Sequence, residues 1–171
     1  MSPTKRFKWV RVEHPAQWDA FVALMREYTR TDLNNPSLSS IHGDMLQPQE
    51  RYSGAQGQAW LIQTADQLLG CGAFTCTREA GLAELKRLYV RPAFRGLGAS
   101  RQLTQHLMAQ ARAAGFERMG LSTWRTNTLA LGLYQRMGFT PMPAFKNHPD
   151  PDLVYLGTTL TAQDAVTPHT P

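Results

Sequence analysis

The stretch Leu88-Tyr89-Val90-Arg91-Pro92-Ala93-Phe94-Arg95-Gly96-Leu97-Gly98-Ala99-Ser100 reads as a strand end, a glycine-containing turn and a helix start. Free N–H groups at a helix N-terminus, approached closely through small residues, make a ready anion site, and Arg95 and Arg101 add charge to it. A phosphate belongs there. The pattern GxxxxGK[ST] is absent, and Gly96-x-Gly98 lacks the third glycine and the acidic residue of a dinucleotide fingerprint. Taken alone, the turn reads more often as an ordinary loop than as a phosphate site, because glycine marks turns everywhere.

The charge around this turn narrows the choice. From Glu84 to Arg101 there are five basic residues, Lys86, Arg87, Arg91, Arg95 and Arg101, and one acidic residue, so four of the chain's five net positive charges fall in this window. A basic surface spread over one face and interleaved with aromatics favours nucleic acid; a cluster around a glycine turn favours a compact anionic ligand. The positive charge therefore reads as the electrostatic seat of one phosphorylated cofactor, and neither nucleic acid nor membrane is expected as a partner.

Working outward, residues 82–90 form a strand, the turn follows, and a helix runs to about Ala114 with Leu103, Leu107, Ala111 and Ala114 on one face and Gly115 as its stop. Before them, residues 59–64 and 69–77 read as antiparallel strands, completing a meander. A strand at 7–12 and a helix from Pro15 to about Arg30 open the chain, the helix with Trp18, Phe21, Val22, Met25 and Tyr28 at helical spacing. Residues 31–57 are a long loop with one short helix around 38–47, and loops of that length are often functional. After the turn helix come a strand at 118–124, a helix at 127–137 closed by Gly138, and strands at 139–145 and 153–160. The order is β-α-loop-βββ-α-β-α-ββ, a mixed α/β domain over residues 1–160 with a polar tail at 161–171. Its right-handed crossover sets the strands at 82–90 and 118–124 in parallel.

The 171 residues suffice for one domain with its own core, without disulfide or metal staples. Cys71 and Cys76 lie five residues apart on one strand and face opposite sides, about 16 Å apart, too far to bridge; both are expected to be reduced core fillers. The five histidines are scattered without zinc spacing, so no metal is expected. No apolar run approaches the roughly 18 residues of a membrane span, and the N-terminus lacks the apolar core of a signal peptide, so a cytoplasmic protein is the expectation.

Two linked motifs carry a resemblance. Val90-x4-Arg95-x2-Gly98-x-Ser100 is similar to the R/Q-x-x-G-x-G/A signature of the GNAT superfamily, the acetyl-CoA-dependent N-acetyltransferases, and Asn127-x2-Ala130-x3-Tyr134-x3-Gly138-Phe139 resembles the family's N-x-x-A-x-x-x-Y-x-x-x-G-F helix. Ser100 departs from the usual Gly or Ala, yet it is small and keeps its N–H. The resemblance implies a sheet of about seven strands splayed around a CoA site and flanked by about four helices. It implies that the pyrophosphate of acetyl-CoA lies on the amides of Leu97, Gly98, Ala99, Ser100 and Arg101, next to Arg95 and Gly96. The pantetheine arm would bond main-chain groups of Leu88 and Val90, on either side of Tyr89, and donors near Val90 would polarise the acetyl carbonyl.

For the chemistry, the resemblance implies Tyr134 as the acid that protonates the departing thiolate, and Asn127 as a contact to the CoA arm that also suits a helix N-cap. Glu84, the only acidic residue of its strand, is the candidate base; an ion pair with Lys86, two positions along on the same face, is the equal alternative. The two readings weigh equally because a β-bulge could shift the facing of Glu84 and Lys86; Arg87 and Tyr89 should face the other way. The acceptor cleft is expected between residues 32–52 and 141–152, where Asp32, Asp44, Glu50, Asp150 and Asp152, with Tyr52 and Phe145, could recognise a cation. A small or amino-acid-like amine is favoured over a protein N-terminus, on a monomer or homodimer.

Overall fold

The computed structural model describes residues 7–31 and 40–161. The first strand, β1 (Lys8–Arg11), is followed by helices α1 (Pro15–Thr31), α2 (Ile41–Leu46) and α3 (Pro48–Tyr52), then the meander β2 (Gly57–Gln63), β3 (Leu68–Cys76) and β4 (Leu82–Val90). A single 3-10 turn (Pro92–Phe94) leads into α4 (Ala99–Ala113), β5 (Arg118–Trp124), α5 (Thr128–Arg136), β6 (Thr140–Pro141) and β7 (Leu153–Thr159). The seven strands form one sheet in the order β1-β2-β3-β4-β5-β7-β6, all neighbours antiparallel except β4 and β5. The expected architecture is present. The loop after α1 carries two short helices instead of one, because Pro48 ends α2 and starts α3. The tail expected after Leu160 lies outside the described residues apart from Thr161.

Each face of the sheet is covered by its own core. Trp18, Phe21, Leu24 and Met25 of α1, recurring every three to four residues, pack with Ile41, Tyr52, Leu61, Cys71 and Tyr89 on one side. On the other, Leu103, Leu107 and Ala111 of α4 join Phe74, Leu85, Val90, Met119 and Leu121. Burying each such leucine or phenylalanine stabilises the fold by roughly 2 kcal/mol. At the end of β4, Arg91 clamps α1 to the sheet: its Nη2 and Nε donate to the two carboxylate oxygens of Glu27 at 2.7 and 3.0 Å. That hydrogen-bonded guanidinium holds Glu27 below the usual carboxylate range.

Two irregularities of β4 position the site. Cys71 pairs with Tyr89 and Ala73 with Lys86, so Gly72 alone faces both Arg87 and Leu88. This bulge puts Arg87 at φ 58°, the left-handed region an arginine rarely adopts. The second irregularity is an early end to pairing: β4 and β5 are in register only at Leu82, Ala83 and Glu84, opposite Arg118, Met119 and Gly120. Beyond them the two strands diverge.

The strand expected at 139–145 shrinks to Thr140–Pro141, since Pro141 and Pro143 cannot donate to a ladder. The chain instead crosses the sheet face, seating Met142 on Gly157 and Phe145 on Gly120. A Cβ at those glycines would stand 2.4 Å from Met142 Sδ and 2.8 Å from Phe145 Cε1. The two bare positions are therefore a trough for the segment that carries Lys146.

At the other edge of the sheet, His106 stacks on Trp9 with centroids 4.6 Å apart and meets the edge of Trp60 at 4.3 Å. Its Nε2 is buried without a hydrogen-bond partner among the described residues, and burial lowers its pKa to about 4. The unfolded chain thus binds this proton near pH 6.5 and the folded one only near 4, so stability is full above about 6.5 and falls as pH drops through that window. His106→Phe is expected to keep the stack and flatten the melting temperature between pH 6.5 and 4; an unchanged slope would place the acid sensitivity elsewhere.

Candidate active site

The turn after β4 has the geometry of an anion seat. Gly96 and Gly98 have φ of 79° and 76°, and Gly98 is the N-cap of α4 in the left-handed conformation. The first main-chain bond at this end runs from Gln102 N–H to Gly98 O, leaving the amides of Ala99, Ser100 and Arg101 without intrahelical acceptors. A Cβ at Gly96 would meet nothing within 4 Å, so the approach from outside is open. Arg95 behaves differently from a simple phosphate ligand. Its Nε donates to Val90 O at 3.0 Å and its guanidinium lies 5.9 Å from the Tyr89 ring centroid, pinning the turn to the strand end.

From the turn a cleft of about 1370 Å³ runs between the diverging halves of β4 and β5 to the opposite face of the sheet. Leu88, Tyr89, Val90, Arg95 and Ser100 line it on the turn side, and Asn127, Ala130 and Tyr134 of α5 close its floor. Arg91 N–H donates to Leu69 O, which makes Gly70–Val90 a pair without mutual hydrogen bonds and turns the main-chain N–H and C=O of Val90 toward the gap. Asn127 caps α5, its Oδ1 accepting from Ala130 N–H at 3.3 Å and its Nδ2 reaching Thr123 Oγ1 at 3.4 Å. Tyr134 is buried, edge-on to Phe139 at 5.6 Å, and burial pushes its hydroxyl well above the ordinary phenol range, so it stays protonated.

The far half of the cleft departs from the sequence reading in four ways. First, the partner of Glu84 is not Lys86: Glu84 is buried and accepts from Lys146 Nζ at 2.5 Å, a residue 62 positions away carried over the glycine trough. Second, Arg87 and Tyr89 do not face away from Glu84 and Lys86. The extra residue of the bulge brings Lys86, Arg87 and Tyr89 all to the α1–α2 side, where Arg87 bonds Asp44 and Tyr89 packs near Tyr28.

Third, Asp44 and Tyr52 are not free to recognise a cation. The Arg87 guanidinium lies 2.7 Å from Asp44 Oδ2, Arg51 lies 3.7 Å from Oδ1, and the Tyr52 hydroxyl donates to the same carboxylate. Burial opposes the charge on Asp44, but Arg87 and the Tyr52 hydroxyl outweigh it and hold the carboxyl below its usual range. Asp150 accepts from Asp152 N–H, and Asp152 stands 3.8 Å from Arg125; Glu50 and Phe145 do line the cleft, and Asp32 lies outside the described residues. Fourth, the basic window is not one seat: Lys86 and Arg87 stand on the far half and Arg91 is bound to Glu27. Of the cysteines, Cys71 is buried, whereas Cys76 is exposed at the cleft and is not a core filler.

A model of the acetyltransferase (GNAT) family matches residues 18–139. The chain belongs to this family. An uncharacterized N-acetyltransferase of Schizosaccharomyces pombe is 28% identical over 85% of this chain and 90% of its own length. Among solved structures, an acetyltransferase of Streptococcus agalactiae superposes with a TM-score of 0.74 at 21% identity, covering 90% of this chain and 98% of that one. An acetyltransferase of Bacillus subtilis in complex with CoA gives 0.67 at 18%, covering 91% and 100%. At these identities the two structures show a shared fold. As a GNAT acetyltransferase the protein transfers an acyl group from acetyl-CoA to nitrogen, and the open amides at α4 and the unpaired edge of β4 fit a long phosphorylated thioester.

Sequence reasoning on the acetyltransferase misses Lys146, Ser40 and the Asp44–Arg87 pair. Each depends on contacts more than 40 positions apart, and only the paired prolines at 141 and 143 hint that the segment before Lys146 leaves the sheet.

Proposed function

We propose that this protein acetylates the primary amine of a small molecule by direct attack in a ternary complex. The observation that carries the reading is the single cleft joining the phosphate turn to the Glu84 side through the gap between β4 and β5. Bound acetyl-CoA supplies the activated acetyl group; the B. subtilis relative solved with CoA supports its place here. The amides of Leu97, Gly98, Ala99, Ser100 and Arg101 hold its phosphates, Leu88 and Val90 bond the arm through main-chain groups, and Asn127 borders the arm.

In this reading the Val90 N–H polarises the acetyl carbonyl. Glu84, whose Oε1 is engaged by Lys146, takes the amine proton through Oε2 or an intervening water as the nitrogen–carbon bond forms. Tyr134 gives its hydroxyl proton to the sulfur as the carbon–sulfur bond breaks, which leaves neutral amide and thiol with a protonated Glu84 and a Tyr134 phenolate, and the proton on Glu84 returns to Tyr134 through solvent before the next turnover. Burial keeps this phenol protonated, so its proton is present to be donated.

The test is release of free thiol from acetyl-CoA with a panel of small amines and of peptides. Turnover of small amines is expected; turnover confined to peptide N-termini would replace the acceptor class. Glu84→Gln is expected to lower kcat about 10²-fold with KM for acetyl-CoA unchanged, and normal turnover in that variant would remove Glu84 from the role.

A further inference from the structure

On the far half of the cleft the charge has the wrong sign for an acceptor that is only an amine. Lys86 and Arg87 are consecutive, yet the bulge sends both side chains to the same side of the sheet. Their nitrogens converge on one atom: Ser40 Oγ accepts from Lys86 Nζ at 3.2 Å and from Arg87 Nη2 at 2.7 Å. A hydroxyl oxygen that receives two cationic donors turns its own hydrogen outward, so three donors share one spot. Arg87 is balanced by Asp44, and Lys146 by Glu84. Lys86 is buried on the cleft wall, and among the described residues no carboxylate lies within ion-pair distance of it. Burial, with Arg87 alongside, lowers its pKa to about 7 against the pull of Glu84 and Asp44, so a bound anion would stabilise its charged form.

We infer that the acceptor is an amino carboxylate, its carboxylate held by Lys86 and the Ser40–Arg87 pair while its amine lies toward Glu84. The inference rests on the reading of the cleft as a small-amine acceptor site. Glu84 and Lys86 occupy the same face two residues apart, about 7 Å along the strand, a span over which a long lysine and a short acid can grip the two ends of one small zwitterion. One buried uncompensated charge matches a monoanion; a phosphate dianion would leave a surplus negative charge in the pocket.

The test uses matched pairs, glycine, β-alanine and other amino acids against their carboxamides, at saturating acetyl-CoA. The carboxylate members are expected to have kcat/KM at least about tenfold higher, as for loss of a charged hydrogen bond. Lys86→Met and Ser40→Ala should each raise KM for the carboxylates by a larger factor than for the carboxamides, with KM for acetyl-CoA unchanged. Equal kcat/KM within the pairs, or a preference that survives in Lys86→Met, overturns the inference. If no amine is turned over, the acetyltransferase reading of the acceptor falls separately, and calorimetric titration of the amino acids into protein saturated with CoA still decides: binding lost in Lys86→Met supports the anion site, and no binding at millimolar concentration overturns it.

Discussion

Tyr134→Phe is expected to lower kcat by about 10²- to 10³-fold while leaving KM for acetyl-CoA and the melting temperature unchanged. The variant loses one oxygen and keeps the ring, which packs edge-on to Phe139 among the side chains of the α4–α5 core. The proposed proton donor is lost and the cleft wall is kept. Because burial holds the Tyr134 hydroxyl protonated across the neutral range, the wild-type rate should show no loss of this acid up to about pH 9, and the variant should differ by a constant factor. Steady-state rates across that range, with a thermal melt of both proteins, measure the effect; a variant that turns over normally would place the acid at another group of the cleft.

Gly70→Ala is expected to lower stability strongly. An added Cβ would lie 2.1 Å from Tyr89 O and 3.0 Å from Val90 Cα, main-chain atoms of the neighbouring central strand that no rotamer change can move. A displaced strand pair of this kind costs about 3 kcal/mol, a fall of roughly 6–12 °C in the melting temperature of a domain this size. Val90 would also be pushed toward the gap whose edge it forms, so KM for acetyl-CoA should rise together with the loss of stability. Gly96→Ala makes the contrast: open space surrounds its Cβ, and only the left-handed backbone is strained, costing about 1 kcal/mol. Melting curves and acetyl-CoA titration of the two variants separate close packing from backbone strain, and equal effects would refute the distinction.

The site divides into a half that is legible in the chain and a half that is not. The phosphate turn, the Asn127 cap and Tyr134 lie within two continuous segments, where helical spacing, glycine placement and a residue's position relative to a helix end are local properties. The far half is assembled from Ser40, Asp44, Glu84, Arg87 and Lys146, which no short window contains. Glu84 is legible as the one acid of its strand, but its ion pair falls to the nearest lysine when read from sequence, because two-residue alternation is the only pairing rule a strand offers without its neighbours.

The amino-acid sequence by itself determined the alternation of strands and helices, the α/β class, the parallel crossover and the glycine turn at the start of α4, because main-chain preferences and periodicity act over a few residues. Tertiary structure decided which side of the sheet each basic residue serves. A single extra residue opposite Gly72 inverts the facing of the residues on either side of it in β4, and two glycines in β5 and β7 let a distant loop deliver Lys146. Register and close approach are properties of strand pairs, and so the placement of charges in the far half of the cleft emerged only once the strands were laid side by side.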